Sequence, residues 1–136
     1  MNDHHAPQWR EWRAALASPR MHHAWILAGK KGLGKHDFAF AAARELVAIG
    51  RDAPVAEKDP DIQLLTHLPK DDKEAKKAEK GEAFETKRNI SIDQIRAMQA
   101  RLTTRPTLGA FRAIIIEPAD DLERSAANAL LKSLEE

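Results

Sequence analysis

A glycine-rich segment between two apolar stretches constrains this chain more than any other feature. Gly29, Gly34 and Lys35 have the spacing G-x-x-x-x-G-K, and Gly32 lies between them. The apolar run AWILA precedes the segment, and an alanine-rich stretch follows it. An apolar strand, a glycine loop and a helix in this order are typical of a P-loop, so we interpret residues 29–36 as a phosphate loop.

These residue types suit the binding of a polyphosphate. Glycines let backbone N–H groups approach phosphate oxygens closely, because no Cβ stands in the way. A helix that begins at the loop adds partial positive charge, and Lys35 is long enough to reach the outer phosphates. We therefore assign Gly29, Gly32, Gly34, Lys35 and His36 to a degenerate phosphate loop, with ATP or ADP as candidate ligands and no cofactor established by the sequence. The alternative is an ordinary glycine turn with a solvated lysine.

His36 departs from the usual pattern at the position after the lysine. Ser or Thr there supplies an oxygen to magnesium, whereas imidazole is a poor ligand for that hard cation. Asp37 follows directly, but its side chain leaves a helix about 100° away from that of His36. We therefore predict impaired magnesium binding.

A carboxylate at the end of a buried strand normally forms the second half of such a site. The sequence IIIEPADDL places Glu117 there, and Pro118 stands where active ATPases carry the carboxylate that polarises water. Glu117 is either a residual magnesium contact or an ordinary strand-end carboxylate, and we favour the second interpretation. We assign no catalytic residue.

The rest of the chain alternates helices with strands. Apolar periodicity and turn residues predict helices over residues 7–18, 38–47, 91–104 and 125–136, and strands over residues 24–28, 59–68 and 112–117. Ser91 and Gln94 have the spacing of a capping box. The isoleucine run of the last strand predicts burial on both faces. The alternation predicts an α/β fold with a central parallel sheet flanked by helices.

One segment is too charged for a core. Residues 70–88 hold 13 charged side chains, seven basic and six acidic. Such a segment buries too little apolar area to offset its ordering entropy, so we predict a flexible insertion over residues 70–89. Its nearly balanced charge favours a solvated loop over a DNA contact.

Composition excludes several classes of protein. The net charge is +1, so a strong overall attraction to nucleic acid or membranes is not expected, and the absence of cysteine excludes disulfides and thiolate zinc sites. No apolar run approaches the roughly 20 residues that cross a bilayer. We expect a cytoplasmic protein.

Histidine and tryptophan invite functional interpretations that the spacing does not support. His4 and His5, like His22 and His23, are adjacent, and adjacent residues do not share a helix face, so we favour structural or exposed roles over a metal site. Trp9 and Trp12 have helical spacing, which favours core packing over stacking on bases.

Five segments together resemble the N-terminal AAA+ module of bacterial DNA polymerase III clamp-loader subunits, most closely the delta-prime subunit. They are HHAWILAGKKGLGKHDFAFAAARELV (22–47), DPDIQLL (59–65), ISIDQIRAMQARL (90–102), RAIIIEPADDL (112–122) and SAANALLKSLEE (125–136). The resemblance covers nearly the whole chain. It implies a three-layer P-loop AAA+ domain over residues 1–136, as the N-terminal portion of a longer protein with a helical lid and collar.

The resemblance also implies a function. Delta-prime joins delta and gamma/tau subunits in a hetero-pentamer of the polymerase holoenzyme that loads the sliding clamp on primed DNA. Its phosphate loop is commonly degraded, which His36 and Pro118 match, and this implies a non-catalytic or weakly nucleotide-binding subunit. The alternative is an active P-loop ATPase such as a gamma/tau motor subunit. The four-cysteine zinc module found in many of these subunits is absent here, and the family's arginine finger falls beyond Glu136.

Overall fold

The computed structural model describes residues 5–18, 24–30, 32–102, 109 and 111–135. Within these ranges the chain forms five α-helices and two strands, joined by loops and a short 3₁₀ turn at Ala119–Asp121. The elements are α1 (Ala6–Ala17), α2 (Lys35–Ala48), β1 (Ile62–Leu65), α3 (Asp72–Glu79), α4 (Ile92–Leu102), β2 (Ala113–Ile116) and α5 (Arg124–Glu135).

The two strands pair in parallel, as the alternating pattern predicts. Ile62 lies opposite Ala113 and Leu65 lies opposite Ile116. The ladder continues one residue further, because the Glu117 backbone N–H donates to the Leu65 carbonyl at 2.9 Å. Since the strands run in the same direction, their carboxyl ends lie at one edge of the sheet, and Glu117 is at that edge.

Helices cover both faces of β2, which confirms the interpretation of its isoleucine run. Ala113 and Ile115 pack in a cluster with Val47 of α2. Ile114 and Ile116 pack on the opposite side, in a cluster centred on buried residues of β1, α4 and α5: Leu65, Ile95, Met98 and Ala126. Successive side chains of a strand point to opposite faces, so four consecutive apolar residues serve two helical layers.

The predicted first helix packs on the helix that follows the phosphate loop. Trp9 and Trp12 of α1 are buried against α2, and the Trp9 ring centroid lies 4.5 Å from that of Phe38. At the rim of this contact, the Arg13 guanidinium donates to the Glu45 carboxylate at 3.0 Å and lies over the Trp9 ring. The preference for core packing of both tryptophans is confirmed.

The third predicted helix starts at its capping box. The Ser91 backbone N–H donates to Oε1 of Gln94 at 3.0 Å, and the Gln94 backbone N–H donates to Oγ of Ser91 at 3.4 Å. The two side chains thus satisfy two backbone donors that have no helical partner. The last described residue of α4 is Leu102, and the predicted end of this helix before Arg105 lies outside the described residues.

The prediction of a strand over residues 24–28 is wrong. These residues are described but form no strand; Ile26 is 92% exposed, and Trp25 makes an edge contact with Trp12. A strand requires a hydrogen-bonded neighbour, and in the described part of the sheet β1 and β2 pair only with each other. An apolar run does not reveal whether such a neighbour exists.

The charged segment contains more regular structure than predicted. Asp71 caps α3 by accepting the Glu74 backbone N–H at 2.9 Å. Acidic residues in the first turn and lysines in the last turn complement the helix dipole. At the base of the segment, an antiparallel bridge joins Pro69 and Thr86. Local capping and charge order therefore form a helix that apolar periodicity alone does not indicate, and flexibility of residues 70–89 stays a prediction.

No helix in the described ranges is both long enough and apolar enough to span a bilayer.

Candidate phosphate-loop site

The phosphate loop approaches α2 through glycines in conformations that other residues rarely adopt. Gly32 has φ 90° and Gly34, the N-cap of α2, has φ 82°. Both values lie in the left-handed region that favours glycine. The loop glycines of the sequence pattern are therefore required by the backbone path, whatever the loop binds.

Lys35 folds back over the loop that precedes it. It is the first residue of α2, and its Nζ donates to the Gly29 carbonyl at 2.5 Å. The Phe38 backbone N–H donates to the Gly34 carbonyl at 3.0 Å, which closes the first helical turn. The ammonium group thus lies within the loop, near the backbone that the P-loop pattern assigns to phosphate.

The structure brings together the two unusual residues that the sequence singled out separately. Nδ1 of His36 lies 2.6 Å from Oε2 of Glu117, although 81 positions separate them in the chain. A carboxylate only accepts hydrogen bonds, so Nδ1 carries the proton and donates it. Both side chains are about half exposed, at 51% for His36 and 41% for Glu117. Glu117 therefore contacts His36 at the end of β2, and its role as a residual magnesium contact or as a strand-end carboxylate stays a prediction.

The residues at this position do not fit a magnesium ion. Magnesium requires oxygen ligands in near-ideal octahedral geometry, and His36 offers nitrogen where a hydroxyl is usual. The other candidate ligand, the Glu117 carboxylate, already accepts the imidazole proton at Oε2. Among the described residues, no three histidine or acidic side chains are grouped so as to hold a metal ion.

His5 contacts the loop from α1, a role that sequence reasoning missed. Its Nε2 lies 2.6 Å from the Leu33 carbonyl, which accepts the hydrogen bond, and its ring makes an edge contact with Phe38. The packing of α1 on α2 produces this contact, and adjacency in sequence gives no sign of it. His4, His22 and His23 lie outside the described residues.

An open groove of about 690 Å³ lies beside the start of α2 and the loop that leads into β1. Its lining combines both charges with apolar side chains: His36, Asp37, Phe40, Arg44, Glu57, Lys58, Asp59, Ile62 and Leu64. The cationic and acidic groups alternate, so the groove has no single sign of charge that selects a ligand.

Comparison with known proteins identifies the family. The family model described as "DNA polymerase III, delta subunit" matches residues 4–136. This chain belongs to that family. The match includes the phosphate loop, both strands and every described helix, so the family assignment rests on the whole arrangement rather than on the loop alone.

Two curated relatives carry different subunit names. The DNA polymerase III subunit delta' of Pseudomonas aeruginosa is 35% identical over 118 residues, which cover 84% of this chain and 34% of that protein. The DNA polymerase III subunit gamma of Buchnera aphidicola from Acyrthosiphon pisum is 28% identical over 126 residues, covering 89% of this chain and 32% of that protein. This delta-family chain spans about a third of the length of these relatives. No solved structure matches it.

The segment before β1 in this family member is held by a buried ion pair that sequence reasoning did not identify. Arg51 donates to both oxygens of Asp59, at 2.9 and 2.5 Å, and to the carbonyls of Ala53 and Pro54. Neither charged side chain has solvent-exposed surface. The hydrogen bonds from Arg51, aided by backbone N–H donors from Asp61 and Ala56, hold the pKa of Asp59 well below its usual range.

A second histidine and carboxylate pair lies at the same edge of the sheet. Nε2 of His67, just past β1, lies 2.8 Å from Oδ2 of Asp121, just past β2. The His67 side chain is more buried than that of His36. Because β1 and β2 end together, the fold places these two side chains within reach, whereas 54 positions separate them in sequence.

Proposed function

We propose that this chain is the AAA+ phosphate-loop module of a clamp-loader subunit of bacterial DNA polymerase III. In this proposal it adopts a three-layer P-loop fold and serves as a non-catalytic or weakly nucleotide-binding subunit. Its partners are the delta and gamma/tau subunits of a hetero-pentamer, which loads the sliding clamp on primed DNA in the cytoplasm. Family membership and the names of both relatives support a place in the polymerase III assembly.

One observation carries the non-catalytic part of the proposal. The His36 imidazole holds the Glu117 carboxylate at 2.6 Å, so both positions expected to bind magnesium are engaged with each other. Pro118 follows where active ATPases carry the carboxylate that polarises water, and proline has no group that does so. Phosphoryl transfer also depends on a bound metal ion and a positioned water, and neither His36 nor Pro118 supplies the side-chain oxygen that these tasks require.

The loop itself retains the features that suit an anion. Gly32 and Gly34 keep their positive φ angles, and Lys35 lies at the N-terminus of α2. We therefore propose that ADP or ATP binds weakly, or that the loop holds a phosphate group as part of the scaffold. Neither role requires turnover.

A specific observation favours a second candidate, an active motor subunit. Two relatives named DNA polymerase III subunit gamma, from Buchnera aphidicola strains, are each 28% identical to this chain. A motor subunit binds and hydrolyses ATP, so Lys35 would then contribute to turnover rather than to anchoring the loop.

ATP turnover by the purified full-length protein separates the two candidates. We expect no hydrolysis above background, and we expect Lys35→Ala to leave that rate unchanged. Steady hydrolysis that Lys35→Ala abolishes would overturn the non-catalytic proposal in favour of the motor candidate. His36→Thr is the companion variant, since regained turnover would identify His36 as the residue that removed it.

Binding is measured apart from turnover. Thermal unfolding with increasing ADP or ATP reports any ligand that prefers the folded protein, because such a ligand raises the midpoint, and the rise continues with the logarithm of its concentration above Kd. Co-purification with delta and gamma/tau subunits tests the assembly role. Failure to enter a complex with either subunit contradicts the clamp-loader proposal even where nucleotide binds.

A further inference from the structure

We propose that His36 keeps magnesium out of the phosphate loop by holding Glu117, so that this pair joins α2 to the end of β2 without a metal ion. The inference rests on the proposed function, since it concerns how that same loop differs from a catalytic one. It assigns His36 a definite role, namely occupying a carboxylate, rather than treating it as a missing hydroxyl.

The two atoms of the pair are closer together than two ligands of one magnesium ion. Nδ1 of His36 and Oε2 of Glu117 are 2.6 Å apart. Magnesium holds its ligands at about 2.0–2.1 Å, so adjacent ligand atoms stand roughly 2.9 Å apart and opposite ones roughly 4 Å apart. The observed separation is shorter than either value, and a direct hydrogen bond accounts for it.

Contacts with other side chains of α2 hold the His36 imidazole in place. The rings of His36 and Phe40 pack at 4.7 Å between centroids, and the Arg44 guanidinium lies over the Phe40 ring at 5.8 Å. These residues are spaced four apart along α2, so they form one stack on a single face of the helix. The stack limits rotation of the imidazole and keeps Nδ1 directed at Glu117.

The pair also links α2 to the end of β2. His36 belongs to the first turn of α2, whereas Glu117 follows β2 directly. The hydrogen bond between the two side chains adds to the core packing of Val47 on Ala113 and Ile115, and it requires neither nucleotide nor a metal ion.

Manganese serves as the paramagnetic probe for the test. The full-length protein is labelled with ¹⁵N and titrated with Mn²⁺ in the absence of nucleotide, and broadening of the backbone amide signals of Gly29, Gly34 and Lys35 is followed. We expect little broadening in the wild type. In His36→Thr, a hydroxyl replaces the imidazole and Glu117 is released, so we expect Mn²⁺ to bind at the loop about ten-fold more tightly or better.

Two further variants make the result specific. His36→Thr combined with Glu117→Gln should lose the gained affinity, because the released carboxylate is gone. His67→Thr is the matched control, since it breaks the other histidine and carboxylate pair at the same sheet edge and should leave the loop signals as in the wild type. His36→Ser replaces His36→Thr should the latter fail to fold.

The outcomes decide the proposal. Strong broadening of the loop signals in the wild type overturns it, and so does a folded His36→Thr or His36→Ser protein that gains no Mn²⁺ affinity. A gain in Mn²⁺ affinity that persists after Glu117→Gln also overturns the proposal, because the Glu117 carboxylate is then not the ligand that His36 keeps from the metal ion. Loss of subunit assembly or the presence of ATP turnover bears on the proposed function, and neither changes the reading of the Mn²⁺ titration.

Discussion

Asp59 and Glu117 are both paired with basic side chains, but the surroundings of the two pairs differ. Asp59 receives two hydrogen bonds from Arg51, and neither side chain has exposed surface. Glu117 receives one hydrogen bond from His36, and both side chains are about half exposed. Burial therefore distinguishes two ion pairs of the same kind: the buried pair stabilises the fold, and the exposed pair contributes little to stability.

The buried pair fixes the chain before β1. A buried charge is costly unless it is paired, and removing Asp59 leaves the Arg51 charge to the more distant carboxylate of Asp61, whose Oδ2 lies 4.0 Å from Nη1. The exposed pair contributes little to folding, because water competes for both groups. A contact with little effect on stability is free to be selected for what it does at a site, and in our proposal it controls access of metal to Glu117.

The largest expected effect is the loss of the buried pair. Asp59→Asn removes the negative charge beneath Arg51 and weakens its hydrogen bonds, so we expect the free energy of unfolding to fall by about 2 kcal/mol. Urea denaturation measures this change. Asp52→Asn, an exposed neighbour, is the control and should lie within about 0.5 kcal/mol of the wild type. A neutral Asp59→Asn would contradict a structural role for the pair.

Acid should destabilise the protein through the same carboxylate. Because the pKa of Asp59 is lowered in the folded state, the pair stabilises the fold above the unfolded pKa of about 4. That contribution is lost as the pH falls from about 4 toward the lower folded pKa, since the unfolded chain binds the proton first. The urea midpoint of the wild type should fall more steeply over this range than that of Asp59→Asn. Parallel slopes would argue against the lowered pKa.

An intermediate effect is expected for the second histidine pair. His67 and Asp121 are 2.8 Å apart, and the His67 side chain is less exposed than that of His36. A double-mutant cycle with His67→Ala and Asp121→Ala should give a coupling energy of about 1 kcal/mol. A coupling energy below that of His36 and Glu117 would show that burial does not determine which pair contributes more to stability.

The smallest effect is expected at the phosphate loop. A double-mutant cycle with His36→Ala and Glu117→Ala should give a coupling energy of about 0.5 kcal/mol in urea denaturation. Each single variant should unfold at nearly the wild-type urea concentration. A coupling as large as 2 kcal/mol would make this pair structural, and it would then no longer contrast with Arg51 and Asp59.

Features that depend on nearby residues were predictable from the sequence. The glycine loop predicted a helix close behind it, over residues 38–47, and α2 begins three residues earlier, at Lys35. Ser91 with Gln94 predicted the cap of α4, because capping acts over three or four positions. The isoleucines of β2 predicted a parallel strand covered on both faces. The helix α3 was missed because its stability depends on capping and charge order in a segment without an apolar stripe.

The candidate site likewise has features that the sequence shows and features that depend on the tertiary structure. The sequence by itself determined which residues are unusual, since His36 replaces a hydroxyl and Pro118 replaces a carboxylate whatever the fold. Only the tertiary structure decided that His36 meets Glu117 and that residues 24–28 form no strand. These outcomes depend on which distant segments pack together, and local spacing carries no information about partners 81 positions away.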